Sequence, residues 1–327
     1  MKRRALFGSI ALVSMVMAMG MVVDARAGEY PDKPMEIVVH SAPGGGSDLF
    51  ARQITGLLEK EGIVKQKMQV VNRTGGGATV ALNYLADKKG DPYTIMNATT
   101  SPLTTVLRGS SRIKFEDLTL IAMLAEDPNL AFTRPDSPFK SMKDVIAEAK
   151  KAPKKVNVAI GTIGGSEHIC AHRVAKAAGV EFNIVAFKSG GEAAVALLGG
   201  HVDLSFGNVA EQMGQIEGKK IRPLATMTEK RIPFLPNVPT MKEEGINTVY
   251  DQFRGFWSGT GFPDYAVKYW EDAFEKLMGN QAFKDSLKST QAVESFRRHE
   301  EFKQYLTKYV EALSQDVKEL EVYQQKK

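Results

Sequence analysis

Ser41-Ala42-Pro43-Gly44-Gly45-Gly46-Ser47-Asp48 stands between a short apolar run, Ile37-Val38-Val39, and a stretch in which Phe50, Ile54, Leu57 and Leu58 recur at helical spacing. That order predicts a buried strand, a glycine turn and a helix N-terminus. Three adjacent glycines leave backbone N–H groups uncovered by side chains, and the helix start adds partial positive charge. Such a turn can seat an anion. A tight strand-to-helix connection also selects glycine for steric reasons, so the rest of the chain must decide between the two readings.

The same arrangement recurs three times. A strand over Met68–Val71 leads into Asn72-Arg73-Thr74-Gly75-Gly76-Gly77 and a helix with Ala78, Ala81, Leu82 and Leu85 on one face. Val156–Ile160 leads into Gly161-Thr162-Ile163-Gly164-Gly165-Ser166 and a helix from about Glu167 to Ala178. Ile184–Phe187 leads into Lys188-Ser189-Gly190-Gly191 and a helix stopped by Gly199-Gly200. Gly44 and Gly75 lie 31 positions apart, and Gly161 and Gly190 lie 29 apart, so the units form two pairs. Strands alternating with helices imply parallel sheets, which bind ligands beyond the strand C-termini. The expected fold is α/β and two-lobed, with a cleft between lobes joined by crossing strands. Residues 28–125 and 228–327 are assigned to the first lobe and 126–227 to the second.

Between these units the pattern predicts a strand over Tyr93–Met96 and a hydroxyl-rich loop, Asn97-Ala98-Thr99-Thr100-Ser101, ending at Pro102. Leu118–Leu124 and Leu130–Thr133 read as two extended pieces around Asp127-Pro128-Asn129. Val202–Phe206 is a further strand ending at Gly207-Asn208. Thr240 and Glu243 are spaced as a capping box for a short helix. Phe253-Arg254-Gly255-Phe256-Trp257 reads as an aromatic strand returning to the first lobe. Phe302, Leu306, Tyr309, Leu313, Val317 and Leu320 form the packing stripe of a C-terminal helix.

The chain has 327 residues, 43% hydrophobic and 25% charged, which suits a globular protein with two sizeable cores. Its net charge of +5 is unevenly placed. Lys2, Arg3, Arg4 and Arg26 against Asp24 account for most of it, leaving a balance that does not argue for nucleic acid. Those basic residues flank an apolar run, Ala5–Val23, followed by Ala25-Arg26-Ala27. This is the pattern of a signal peptide over residues 1–27, cleaved near Ala27/Gly28, with an uncleaved anchor as the alternative. An exported protein of the periplasm is expected. Cys170 is the single cysteine, which excludes an intramolecular disulfide.

Several chemistries fail on spacing. There is no G-x-x-x-x-G-K-[ST], and Gly44-Gly45-Gly46 does not extend to G-x-G-x-x-G, so no nucleotide cofactor is expected. Gly164-Gly165-Ser166-Glu167-His168 lacks the final glycine of a nucleophile elbow, and Ser166 reads as a helix N-cap. His168 and His172 sit four apart without a third ligand, so no metal is expected. His168 is the better candidate for lining a cleft. Lys188 offers a positive charge, while Asp48 complements its helix dipole but would repel an anion unless water intervened.

The chain from Tyr30 onward resembles the substrate-binding proteins of tripartite tricarboxylate transporters, the Bug family. The resemblance is carried by Tyr30-Pro31-Asp32-Lys33-Pro34, Ala42–Asp48 with Ala51-Arg52, Val71-Asn72-Arg73, Asp91-Pro92-Tyr93-Thr94, Leu197–Asp203 and Leu235–Thr240. It implies a periplasmic binding protein that closes over a small carboxylate and delivers it to the membrane subunits of a transporter. The ligand set implied is Ala42, Pro43, Gly44, Gly45, Gly46, Ser47 and Asp48 with Thr74, Gly75, Gly76, Gly77 and Ala78 from the first lobe. Thr99 and Thr100 join them, and the second lobe adds Thr162, Gly164, Gly165, Ser166, His168, Lys188, Ser189, Gly190 and Asn208. Two departures stand out: Arg73-Thr74-Gly75-Gly76-Gly77-Ala78 replaces Arg-Pro-Gly-Ala-Gly-Gly, and Asp91-Pro92-Tyr93 replaces Asp-Gly-Tyr. A monomeric, non-enzymatic solute-binding protein is expected. The alternatives are a hydrolase using Ser166 and His168 in the same cleft, or a sensor subunit for a membrane receptor.

Overall fold

β1 (Met35–Val39) buries Ile37, Val38 and Val39, and its end feeds the first glycine turn into α1 (Gly46–Lys60). α1 turns Phe50, Ala51, Ile54 and Leu58 inward. β2 (Met68–Asn72) runs parallel to β1, with Met68 opposite Met35. A single 3₁₀ turn over Gly76–Ala78 then starts α2 (Thr79–Asp87), so Ala78, expected on the helix face, instead precedes it at a φ of 102°. β3 (Thr94–Ala98) lies parallel on the other side of β1. The computed structural model describes residues 30–325, so the proposed signal peptide lies outside the described residues.

The next element corrects an expectation. Asn97–Ser101 is not a loop ended by Pro102, because α3 (Thr100–Leu107) begins at Thr100 and takes Pro102 into its first turn. Proline is tolerated there because that N–H has no intrahelical acceptor. β4 (Thr119–Thr133) is also one strand of 15 residues rather than two pieces around a turn. Pro128 falls where β4 stops pairing with one neighbour and takes up another, so its missing donor interrupts little.

α4 (Met142–Lys151) is capped by Ser141, whose hydroxyl accepts from the Asp144 amide. The second half repeats the strand–loop–helix order: β5 (Asn157–Ile160), α5 (Ser166–Ala178), β6 (Asn183–Ala186), α6 (Gly190–Leu198), β7 (Leu204–Asn208), α7 (Val209–Glu217) and β8 (Arg222–Thr226). β5 pairs parallel with both β6 and β7. Gly165, not Ser166, is the N-cap of α5, whereas Ser189 caps α6 by accepting from the Glu192 amide. Thr240 and Glu243 make both bonds of a capping box, but on a turn rather than a helix. The chain then returns as β9 (Asp251–Ser258), followed by α8 (Asp264–Met278), α9 (Gln281–Thr290), β10 (Val293–Arg297) and α10 (His299–Gln325).

The strands form one sheet in the order β2-β1-β3-β9-β4-β7-β5-β6, with β8 and β10 also paired to β4. The two parallel halves are therefore welded by antiparallel β9 and β4. Residues from Lys33 onward make one compact unit. The outer face of β9 anchors a column of rings in which Phe50, Phe256, Phe274 and Trp270 stack in succession at 6.2, 5.0 and 5.3 Å. α10 buries Phe302, Leu306, Leu313, Val317 and Leu320, each contributing about 1.5–3 kcal/mol. It is tied to α5 by Arg173–Asp316 (2.8 Å) and His172–Glu319 (2.9 Å). Among the described residues no helix is long and apolar enough to cross a membrane.

Candidate functional site

All four glycine turns lie at strand C-termini and converge where the two parallel halves face one another. A Cβ on Gly45 would lie 3.3 Å from the Ser189 Cβ, and one on Gly77 would lie 3.2 Å from the Ile163 carbonyl. The first and fourth turns thus abut, as do the second and third. Gly75, Gly76 and Gly77 all take positive φ (126°, 60° and 67°), which explains the glycine run there. α3 holds that turn: Thr105 and Ser101 donate to the Gly77 carbonyl at 2.5 and 3.2 Å. Thr104 donates across to Gly164 O at 2.7 Å.

Two adjoining cavities open between the turns. The inner one, roughly 30 Å³, is lined by His40, Ser41, Gly45, Gly46, Ser47, Thr99, Ser101, Thr162, Gly165, Ser166, Glu167, Ser189, Gly190, Asn208, Glu211, Gln252 and Arg254. The outer one, roughly 520 Å³, is lined by His40, Thr74–Ala78, Arg108, Ser110, Thr162, Ile163, Ala186, Phe187 and Lys188. His40 and Thr162 belong to both walls.

The sequence-predicted residues divide accordingly. Gly45, Gly46, Ser47, Thr99, Thr162, Gly165, Ser166, Ser189, Gly190 and Asn208 wall the inner cavity, while Thr74, Gly75, Gly76, Gly77, Ala78 and Lys188 wall the outer one. Ala42, Pro43, Gly44, Asp48, Thr100, Gly164 and His168 line neither. Thr100 turns away to meet Tyr250 Oη at 2.5 Å and Tyr309 Oη at 3.1 Å. His168 Nδ1 accepts from the Gly164 amide at 3.1 Å, and its ring faces the separate grooves beside Val317 and Leu320. His172 is engaged by Glu319, and no group of three or more potential ligands suited to a metal occurs among the described residues.

The amides of the opening turn are not spare. Gly44 N–H donates to Asp48 Oδ2 (2.9 Å), Gly45 N–H to the Ala42 carbonyl (3.1 Å), and Gly46 N–H to Glu211 Oε1 (3.2 Å). Asp48 also accepts from Arg52 and Asn72. Burial pushes its carboxyl up, but those partners outweigh burial and hold it below the usual carboxylate range. Asp48 therefore braces the turn from behind. Arg52 shares that role, and Arg73 stacks on Tyr84 at 4.1 Å, so neither arginine reaches the cavities.

The inner cavity is instead built on residues that sequence reasoning passed over. Arg254 is buried at 2% exposure and gives Nε and Nη2 to Asp127 Oδ2 (2.9 and 2.6 Å) and Nη1 to Ser47 Oγ (3.2 Å). With its amide nitrogen toward Ser166 Oγ (2.6 Å), Gln252 accepts from Arg254 Nη2 at 3.0 Å and from Thr99. Glu167 and Glu211 complete the wall. Burial, with Glu167 nearby, pushes the Glu211 carboxyl up to about 8. Burial likewise raises Glu167, and it raises Asp127 despite Arg254. Burial, reinforced by Arg254, drops the His40 imidazole to about 3, so His40 is neutral at ordinary pH. One signal was available: a lone arginine inside an apolar strand needs a buried acceptor. Glu211 gave none, because it stands on α7, a helix the pattern did not reveal.

Residues 50–320 match the profile described as tripartite tricarboxylate transporter family receptor. The chain belongs to that family. As a receptor of this group it is 28% identical to Protein BugT of Bordetella pertussis over 85% of its own length and 83% of BugT. Among solved structures, this receptor superposes on the periplasmic binding protein BugD with a TM-score of 0.82 at 24% identity, covering 90% and 99% of the two chains. MatC from Rhodopseudomonas palustris, determined with bound malate, gives a TM-score of 0.81 at 22% identity over 88% and 100%. The receptor's fold is the two-lobed α/β fold of these periplasmic binding proteins.

Proposed function

We propose that this receptor is an exported, monomeric solute-binding protein that captures a small organic acid and hands it to the membrane subunits of a tripartite transporter. The observation that carries this reading is the pair of adjoining cavities walled by turns from both halves of the sheet; we assign residues 126–227 to the lobe opposite the rest. A ligand spanning them touches both halves only when the halves are together, so binding favours the closed form. The 520 Å³ outer cavity brings Lys188 and Arg108 beside the Thr74–Ala78 turn, an arrangement suited to a carboxylate. MatC binds malate on the same fold, which supports an organic acid here. The leading segment, Met1–Ala27, supports export to the periplasm.

A hydrolytic role for Ser166 finds no support in the geometry. Its hydroxyl is engaged by Gln252, and His168 Nδ1 is engaged by the Gly164 amide. The test is thermal denaturation of the mature protein against mono-, di- and tricarboxylates, with mass analysis of recovered ligand. One or a few acids are expected to raise the Tm and to be recovered intact. If every acid left the Tm unmoved, the reading would fail.

A further inference from the structure

The two cavities differ in charge. The outer one is bordered by Lys188 and Arg108. The inner one is bordered by the carboxyl groups of Glu167 and Glu211, and its single guanidinium, Arg254, is already committed. All three Arg254 nitrogens have protein acceptors, two of them on Asp127. The Gly44, Gly45 and Gly46 amides are likewise taken, two of them by the protein's own carboxylates. A second ligand carboxylate entering here would meet two acids and no uncommitted cation among the described residues.

A separate observation bears on the inner cavity. His40 Nδ1 and Ser41 Oγ, each on a residue 7% exposed, line it without a hydrogen-bond partner. Buried polar atoms are ordinarily paired, so unpaired ones on residues that wall a cavity are the groups a ligand entering it would satisfy. The neutral His40 ring offers an acceptor to an N–H donor, and the serine hydroxyl can accept as well. Size agrees: roughly 30 Å³ holds a group of about one or two water-sized atoms, such as an ammonium head.

We propose that the ligand is a zwitterion whose protonated amine enters the inner cavity, against Glu211 and Glu167, while its carboxylate lies in the outer one. This rests on the organic-acid reading and narrows it. Gly46 and Gly190 make room for Glu211, since a Cβ on Gly190 would lie 2.6 Å from its Oε2. Glu211 is thereby a specificity residue. Its carboxyl holds a proton when no ligand is bound, and an arriving ammonium displaces that proton and pairs with the carboxylate, a gain that a second ligand carboxylate cannot make.

The experiment compares pairs that differ only at the inner end: β-alanine with succinate, γ-aminobutyrate with glutarate, δ-aminovalerate with adipate. Thermal shift and calorimetry on the mature protein would be read alongside the wider acid panel. The amine member of at least one pair should bind about ten-fold or more tightly than its diacid. Glu211→Gln should erase that preference, and Glu167→Gln should weaken it, with circular dichroism confirming that each variant is folded. A diacid binding as well as its amine partner would overturn the zwitterion while leaving the organic-acid reading intact. Silence from every acid in the panel would overturn both.

Discussion

Replacing Glu211 by glutamine tests the electrostatics of the inner cavity without any ligand. The side chain is held by the Gly46 amide and faces Arg254 from β9, Asp127 from β4, Glu167 from α5 and His40 beyond β1. Its carboxyl is pushed from 4.5 to about 8. A raised carboxyl means that the folded chain holds this proton more tightly than the unfolded chain. The resulting stability is complete below about pH 4.5 and is lost as pH rises through about 8. At about 1.4 kcal/mol per pH unit, the loss approaches about 5 kcal/mol by the alkaline end of that window. Glutamine copies the protonated shape and has no proton to release. Urea unfolding from pH 5 to 9 should show the wild type losing stability more steeply than Glu211→Gln, with the variant more stable by a few kcal/mol above pH 8. Parallel slopes, or a variant less stable than wild type at pH 9, would show that Glu211 is not buried among acids as described. Asp251, raised to about 6 by burial, adds its own slope to both proteins and cancels in the difference.

Arg254→Met should cost about 3–5 kcal/mol in chemical denaturation, because it strands Asp127 in the interior beside two further acids. Gly161→Ala should be at least as damaging. The added Cβ would lie 2.7 Å from the Ser189 carbonyl carbon and collide with the Gly190 amide, both of them backbone; a Tm within about 1 °C of wild type would refute that approach. Cys170 is fully buried and burial raises its thiol well above the ordinary range, so thiol reagents should label it only after denaturation. Leu306→Ala, at the centre of the buried face of α10, should lose about 2–5 kcal/mol.

The repeated strand–glycine–helix unit was legible because each signal in it is local. An apolar run, a glycine turn and a helical stripe follow one another within some 20 residues, and all four units formed, with helix starts shifted at Ala78 and Ser166. What escaped depends on distant partners. Asp127-Pro128-Asn129 has the composition of a turn, yet β9 and β7 draw it into one strand. The hydroxyls of Thr100 to Thr105 look like loop chemistry until Tyr250, Gly77 and Gly164 are set against them. The site divided in the same way. The glycine turns could be found in order along the chain, and their positions around the cavities follow from parallel-sheet topology. Gln252 and Arg254 on β9, Glu211 on α7 and His40 after β1 come from three separate segments, and their proximity exists only once β9 is threaded between β3 and β4.

That threading also sets an order of events during synthesis. Residues 127–227 hold β5 through β8 and their part of β4, a complete set of partners. The other half waits, since Met96 meets Trp257 and Ala122 meets Phe256 only after roughly 160 and 130 further residues have been made. Until β9 arrives, β3 and β4 present facing unpaired edges. Late, long-range closure of this kind slows folding and leaves edges open to wrong partners. A chain ended before residue 251 should therefore contain a formed second half and an unfinished first one that aggregates. A keystone strand delivered late in the chain keeps the ligand cleft from assembling early, which would suit the proposed export across a membrane.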